Sequence, residues 1–309
     1  MSDQRGVALV VALLALSLLA LVVTQLAASA RLEASMVRSF RDAVVARHLA
    51  EAGIEQAIRE ILGQSQIAAL DESGQLVFHR IRIDQAGPIR VTPLPRTRVP
   101  LGPGAFSYRI DDEAARLSLN AVDPDRLRRL LAVLEVDRGR RDIILDSLQD
   151  WRDANELRRA NGAESEFYLR LPVPYRARNG NLQDPTELLQ IRGVTRELYA
   201  SGRPGLGELV TVAPLSTVSL NAASPIVLKA VGLSDAEVAD VVQARRRAPY
   251  VVVPGRFAGR GFSVGSGTFR VEAEGLVGGV ARSRVVAVVR RGRQGDPLDV
   301  EILSWRPEP

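Results

Sequence analysis

The stretch VALVVALLALSLLALVVTQLAASA, residues 7–30, decides the fold. It holds no charge, no proline and no glycine, and Val, Ala and Leu make up most of it. About 20 apolar residues at ~1.5 Å rise span a ~30 Å hydrocarbon core, so one helix here is long enough to cross a bilayer. The helical pattern runs on past the membrane. Between Arg31 and Leu62 there is no proline, and Gly53 is the only glycine. Leu32, Val37, Phe40, Val44, Val45, Leu49, Ala52, Ile54, Ile58, Ile61 and Leu62 recur at roughly helical spacing, with Arg and Glu between them. The pattern predicts one continuous rod of roughly 80 Å that ends at Gly63 and carries the rest of the chain.

What precedes the rod sets the kind of anchor. A secretory signal has an apolar region of ~7–15 residues and a small-residue cleavage site. Ala28-Ser29-Ala30 supplies such a site, but the apolar run is too long for that class. A short polar leader ending Arg5-Gly6, followed directly by an apolar helix, resembles a type IV prepilin. That resemblance implies cleavage between Gly6 and Val7 by a prepilin peptidase, and methylation of the new amino terminus at Val7. In most pilins the fifth residue after the cut is a glutamate; here it is Val11. A carboxylate inside a bilayer is costly and needs a partner, which in pilins is the amino terminus of a neighbouring subunit. A subunit without it fits the tip of a filament, where nothing lies ahead. An ordinary uncut signal anchor is the other reading of this segment. Charge counting conflicts with export: Arg5 lies in front, but Arg31, Arg38 and Arg41 lie behind. A domain behind a prepilin-type signal is exported regardless, so the expected location is a single pass through the inner membrane with the head in the periplasm.

Composition narrows the chemistry. The chain has 309 residues, a formal net charge of +5 and a pI near 10.1. Lys229 is the single lysine among many arginines, and acidic residues nearly match the basic ones, so the chain is not a polyelectrolyte. Cysteine is absent, which excludes disulfides, thiolate zinc sites and cysteine nucleophiles. The only histidines are His48, on the rod, and His79, and no nucleophile motif accompanies them.

Beyond Gly63, five prolines between residues 88 and 103 exclude a long helix. Alternating runs at 76–83, 89–91 and 106–110 read as strands with one wet face. From Glu113 the pattern turns helical. Asp123 and Pro124 open a helix to about Val136; a second runs from Arg140 to Asp153; short ones follow Pro185 and Thr195. Residues 225–231 and 235–247 form two more around Gly232-Leu233-Ser234. After Pro254 the chain returns to strands at 268–273, 283–290 and 298–305. A helical block within a sheet pattern predicts an α+β fold: a long N-terminal helix and an antiparallel sheet, with a large inserted α-helical domain.

Within that block stand Asp150-Trp151-Arg152-Asp153-Ala154-Asn155, Asn161-Gly162-Ala163-Glu164, Tyr168, Pro174-Tyr175, Asn179 and Glu187-Leu188. In this order they resemble the K-type minor pseudopilin of type II secretion systems, the GspK family. Asp111-Asp112-Glu113 with Leu117-Ser118-Leu119-Asn120, and Ser219-Leu220-Asn221-Ala222-Ala223, match further family stretches less closely. Asn155 departs from the pattern, which more often has Asp there. The resemblance covers nearly the whole chain. It implies a pilin-like head and the following division: leader 1–6, membrane part of the helix 7–30, periplasmic part 31–62, first β part of the head 63–112, inserted α-domain 113–250 and C-terminal strands 251–309. It also implies a non-enzymatic subunit at the pseudopilus tip that caps or primes assembly and supports protein export. The I- and J-type minor pseudopilins are its expected partners. A minor pilin of a type IV pilus is the near alternative.

Asp150, Asp153, Asn155 and Glu164 supply hard oxygen ligands within fifteen residues, in a segment that turns at Gly162. Calcium takes six to eight such oxygens in flexible geometry, and the resemblance implies calcium in the α-domain with these four as candidate ligands. Paired carboxylates also serve glycoside hydrolysis, but acidic residues in loops are too common to carry that reading. The competing class is an anchored DNA receptor, because residues 219–250 and 189–201 resemble helix-hairpin-helix units. Such hairpins need glycine where backbone N–H groups approach a phosphate. Ser234 and Thr195 stand there instead, so both units read as packing elements and no nucleic-acid partner is expected.

Overall fold

A computed structural model of the chain describes residues 3–63, 67–81, 87–201, 204–265, 267–292 and 300–308. Its first element, α1 (Asp3–Leu62), is an unbroken helix of 60 residues, about 90 Å long at ~1.5 Å rise. Gly6 and Val7 lie in its first turns, and their side chains fall outside the described residues. From Leu9 to Leu26 the large apolar side chains are 56–70% exposed, and this is the one helix among the described residues long and apolar enough to cross a membrane.

The lower third of α1 packs on a sheet. Ala46, Leu49, Ala50, Ile54, Ala57 and Ile61 recur every three or four residues and are buried, which places them on one face. Small residues let helix and sheet come close. A Cβ on Gly53 would meet the Ala273 methyl at 2.9 Å, and one on Gly275 would overlap the Ala46 carbonyl.

The head holds two antiparallel sheets. In the smaller, β1 (Ile67–Leu70), β2 (Leu76–Ile81) and β3 (Pro88–Arg90) lie in chain order. The larger is built from β4 (Val99–Leu101), β5 (Gly104–Asp112), β10 (Thr268–Val277), β11 (Val280–Arg291) and β12 (Val300–Glu308). Its spatial order is β12-β11-β10-β5-β4, so β10 returns after the helical block to pair with β5, Ala273 opposite Tyr108. Gly278 and Gly279, at φ of +62° and +80°, close the β10–β11 hairpin where both turn residues must be left-handed. Two side chains of the head grip Glu60 of α1. Arg96 donates to both oxygens of Glu60 at 3.1 and 2.5 Å, and the Tyr108 hydroxyl donates to Glu60 at 2.8 Å. The Tyr108 proton is held far above its ordinary range, by burial first and by Glu60 second.

Between β5 and β10 come the remaining helices: α2 (Pro124–Val133), α3 (Arg138–Arg152), α4 (Ser165–Tyr168), α5 (Arg196–Ala200), α6 (Leu206–Leu209), α7 (Pro225–Val231) and α8 (Asp235–Arg247). They share a hydrophobic core separate from that of the head. Leu130, Leu131, Trp151, Tyr168, Leu228, Val241 and Phe257 are fully or almost fully buried in it. Two short parallel pairs stitch the block: β6 (Leu117–Ser118) with β7 (Val210–Thr211), and β8 (Val218–Ser219) with β9 (Phe262–Ser263). After each first strand an asparagine closes the layer with both ends of its amide. Asn120 donates to Leu182 O and Val212 O and accepts from Leu182 N. Asn221 donates to Tyr250 O and Val264 O and accepts from Tyr250 N.

The α+β class stands: a long N-terminal helix, antiparallel sheet and a helical block between strands. Element ends shift for local reasons. The first helix of the block stops at Val133, because Glu135 is left-handed at φ 58°. The second starts at Arg138, because Asp137 caps it through Arg140 N. Residues 185–190 form a 3-10 turn rather than an α-helix. Strands β1 and β4 escaped the alternation rule; β1 is buried at three consecutive positions and so does not alternate. Of the strands expected at 76–83 and 298–305, residues 82–83 and 298–299 lie outside the described residues.

Candidate metal centre

Asp150 and Asp153 stand one helical turn apart at the C-terminal end of α3, so both project from one face. This is the end where the helix dipole is negative, an unfavourable place for two carboxylates. Asp150 is completely buried all the same. The chain then loops out and returns. Gly162 passes so close to Asp150 that a Cβ there would overlap its Oδ2, and Glu164 follows two residues on, as the N-cap of α4. Glu164 does not use its side chain to cap the helix. Among the described residues, oxygens of Asp150, Asp153 and Glu164 all lie within 4.8 Å of one another.

The three carboxylates are not equally provided for. Arg159 Nη1 donates to Asp150 Oδ1 at 2.6 Å and to Asp153 Oδ2 at 2.5 Å, and the Arg159 backbone N–H reaches Asp150 Oδ2 at 3.2 Å. Glu164 is 3% exposed, and neither of its oxygens has a hydrogen-bond partner. Burial, then the charges of Asp150, Asp153 and Glu156, push its carboxyl up to about 7. A buried carboxylate with two empty oxygens beside two more carboxylates is costly as it stands. The donor set is all oxygen, the chemistry that suits calcium or magnesium rather than a softer metal. On these grounds the residues fit a divalent hard cation. Such an ion would be held by Asp150, Asp153 and Glu164, and would tie the C-terminal end of α3 to the start of α4.

Asn155 stands one step further out. Its amide nitrogen donates to Asp153 Oδ1 at 2.8 Å, and its oxygen accepts from Leu157 N at 2.8 Å. The structure thus brings three of the four expected ligands together and turns the fourth toward the loop. Other motif residues brace the same loop. Trp151, Tyr168 and Tyr175 pack with centroids 5.2–6.2 Å apart. Asn179, left-handed at φ 50°, donates to Glu156 at 2.9 Å, and Glu156 also accepts from the Ser165 hydroxyl at 2.9 Å. Glu187 accepts from Gln183 N, Asp184 N and Arg178. Sequence reading missed Arg159, Glu156 and Ser165, since nothing in their spacing marks them. Only Ser165, beside Glu164, had a neighbour worth following.

The two helix-hairpin-helix-like units cap their own helix starts. Thr195 Oγ accepts from Leu198 N and from Arg140 at 2.9 Å. Ser234 and Glu237 form a reciprocal capping box, and Arg260 covers Glu237 at 2.6 Å. The N–H groups at these two positions are satisfied from within.

Comparison with known proteins agrees with this architecture. Residues 110–214 match the family model for type II secretion system (T2SS) protein K. The type II secretion system protein K of Pectobacterium carotovorum subsp. carotovorum is 30% identical over 142 residues, 41% of this chain and 42% of that protein. The putative type II secretion system protein K of Escherichia coli K12 is 26% identical over 240 residues, 71% of this chain and 66% of that one. The chain therefore aligns with less than two thirds of the length of either relative. The fold matches a chain of the crystal structure of the GspK-GspI-GspJ complex from enterotoxigenic E. coli at a TM-score of 0.63 and 17% identity, covering 90% of this chain and 99% of that one. The family model ends shortly after the parallel pair β6–β7 and contains the whole acidic loop with its aromatic brace. The loop motifs, the curated relatives and the fold point one way: residues 110–214 are similar to type II secretion system protein K, and the chain shares the fold of the matched chain of the GspK-GspI-GspJ complex.

Proposed function

We propose that this chain is a non-enzymatic minor pseudopilin, anchored by α1 in the inner membrane with its head in the periplasm, at the tip of the pseudopilus. There it caps or primes assembly with I- and J-type minor pseudopilins and so supports protein export. The observation that carries this reading is α1 itself. Its apolar face is uncovered from Leu9 to Leu26, and Leu32, Met36, Phe40 and Val44, spaced by four, continue an exposed stripe down to where the head begins. A stripe at that spacing lies along one side of a helix and suits packing against other long helices. Val11, 59% exposed, offers no carboxylate to a neighbour ahead. The GspI and GspJ chains named with the matched structure support the choice of partners.

The same reading includes cleavage between Gly6 and Val7 by the prepilin peptidase, methylation of Val7, and calcium held by Asp150, Asp153 and Glu164. Coexpression with the peptidase and the I- and J-type subunits, followed by membrane extraction, tests it. Mass spectrometry should show a methylated Val7 terminus, and the three subunits should elute together. A mature chain beginning at Arg31 or Met1, or one that elutes alone, overturns it. Calcium titration of the detergent-solubilised full chain tests the metal; no binding at millimolar free ion removes it.

A further inference from the structure

Arg159 faces the acidic loop with a charge of its own. Its Nη1 bridges Asp150 and Asp153 at 2.6 and 2.5 Å, taking one oxygen of each. Both carboxylates belong to the cluster that Glu164 completes, and Glu164 itself receives no donor. The arginine is not built into the core: its side chain is 37% exposed, whereas Asp150 is fully buried. A long side chain at the surface can leave along its own stem without disturbing the packing beneath it. Asp150 is held more closely: it is fully buried, and Gly162 is pressed against its carboxylate.

We propose that Arg159 is a built-in competitor for the cation: its guanidinium neutralises Asp150 and Asp153 until a divalent ion displaces it. This rests on the cation reading above and adds to it the residue that sets the affinity. The chemistry is an exchange of one positive group for another at the same lone pairs. A carboxylate oxygen engaged by a charge-assisted hydrogen bond must release it before serving as a metal ligand in the same direction. A monovalent ion would replace one unit charge with another at no electrostatic gain, so the exchange favours divalent ions. The loop stays ordered in both forms, held first by the arginine and then by the ion.

The test is calcium chloride titrated calorimetrically into the detergent-solubilised full chain, wild type against Arg159→Gln, with the exposed neighbour Arg158→Gln as the control for net charge. Arg159→Gln should bind calcium at least ~10-fold more tightly, since the ion no longer competes with a charged donor. Arg158→Gln should change the constant by less than about twofold, as expected for a solvated charge. The melting temperature of Arg159→Gln should fall by several degrees in chelator and return to the wild-type value in saturating calcium. If the glutamine variant does not fold, Arg159→Met, which keeps the aliphatic stem, carries the same expectations. An equal or weaker affinity in Arg159→Gln, or a loss of stability that calcium does not restore, makes Arg159 a structural brace and overturns the proposal. Absence of binding to every variant overturns the cation reading, and this one with it. Equal binding by wild type and Arg159→Gln overturns this one alone.

Discussion

Two buried glutamates in this chain are treated in opposite ways. Glu113, fully buried where the head meets the helical block, accepts from Arg270 Nε at 2.7 Å, from Arg116 Nη1 at 3.0 Å and from the Thr211 hydroxyl. Those partners come from β10, from the turn after β5 and from β7, so one carboxylate ties three segments. Glu164, almost equally buried, has nothing on either oxygen. Folding requires that a buried charge be answered. Glu113 is answered from within the chain; Glu164 has no hydrogen-bond partner among the described residues, which is what the proposed cation would supply. Both are acidic residues within the motif stretches of the sequence, and only their surroundings tell them apart.

The sharpest way to break the comparison is to remove each charge. Glu113→Ala leaves Arg116 and Arg270, whose side chains are 14% and 15% exposed, without their shared anion. Breaking such a buried pair costs about 3–5 kcal/mol, read as a lower urea midpoint, with or without calcium. Glu164→Gln should do the reverse. It removes a charge that has no partner, so the cation-free protein should be as stable as the wild type or more so, while calcium affinity falls about 100-fold. A Glu164→Gln chain that unfolds more easily without calcium would place Glu164 beside Glu113 as a structural acid.

Proton linkage sharpens the contrast at smaller scale. The Glu164 carboxyl sits at about 7, above its ordinary 4.5, because burial and the neighbouring carboxylates disfavour its charge. Between those values the folded chain holds a proton that the unfolded chain has released. In chelator, stability should therefore fall as pH rises from about 4.5 to about 7 and level off above. Calcium needs the deprotonated form, so its affinity should rise about tenfold from pH 6 to pH 8. A flat affinity over that range would show that Glu164 is not a ligand.

How far the sequence reached differs between regions for a physical reason. The rod was legible because absence is easy to read: no charge in residues 7–30, and no proline up to Gly63. Helices α7 and α8 were legible to the residue, since Ser224-Pro225, Gly232 and Ser234 are local stop and start signals whose chemistry acts within four residues. Asp150, Asp153 and Glu164 were legible as oxygen donors from their types and order. Their inequality was not. That Arg159 reaches back nine residues to Asp150, and that Glu164 finds no donor, depends on how the loop closes past Gly162. The Glu113 tie was equally hidden, because Thr211 and Arg270 lie 98 and 157 residues away from it.

Asn155 provides the finest test, because sequence and structure assign it different work. As a fourth ligand it would give its oxygen to the ion, and Asn155→Ala would cost as much affinity as Glu164→Gln, about 100-fold. In the structure that oxygen accepts from Leu157 N, and the amide nitrogen instead steadies Asp153 Oδ1. A residue acting through a ligand rather than on the ion has the smaller effect, here no more than about tenfold. Asn155→Asp separates the two further. It keeps the acceptor for Leu157 but sets a second carboxylate against Asp153, so it should weaken the cation-free loop and tighten calcium by a few-fold through added charge. Calorimetry on the two variants decides: a large loss in the first with a large gain in the second makes Asn155 a ligand. Two small shifts keep Glu164, and not Asn155, as the group that the fold leaves for the ion.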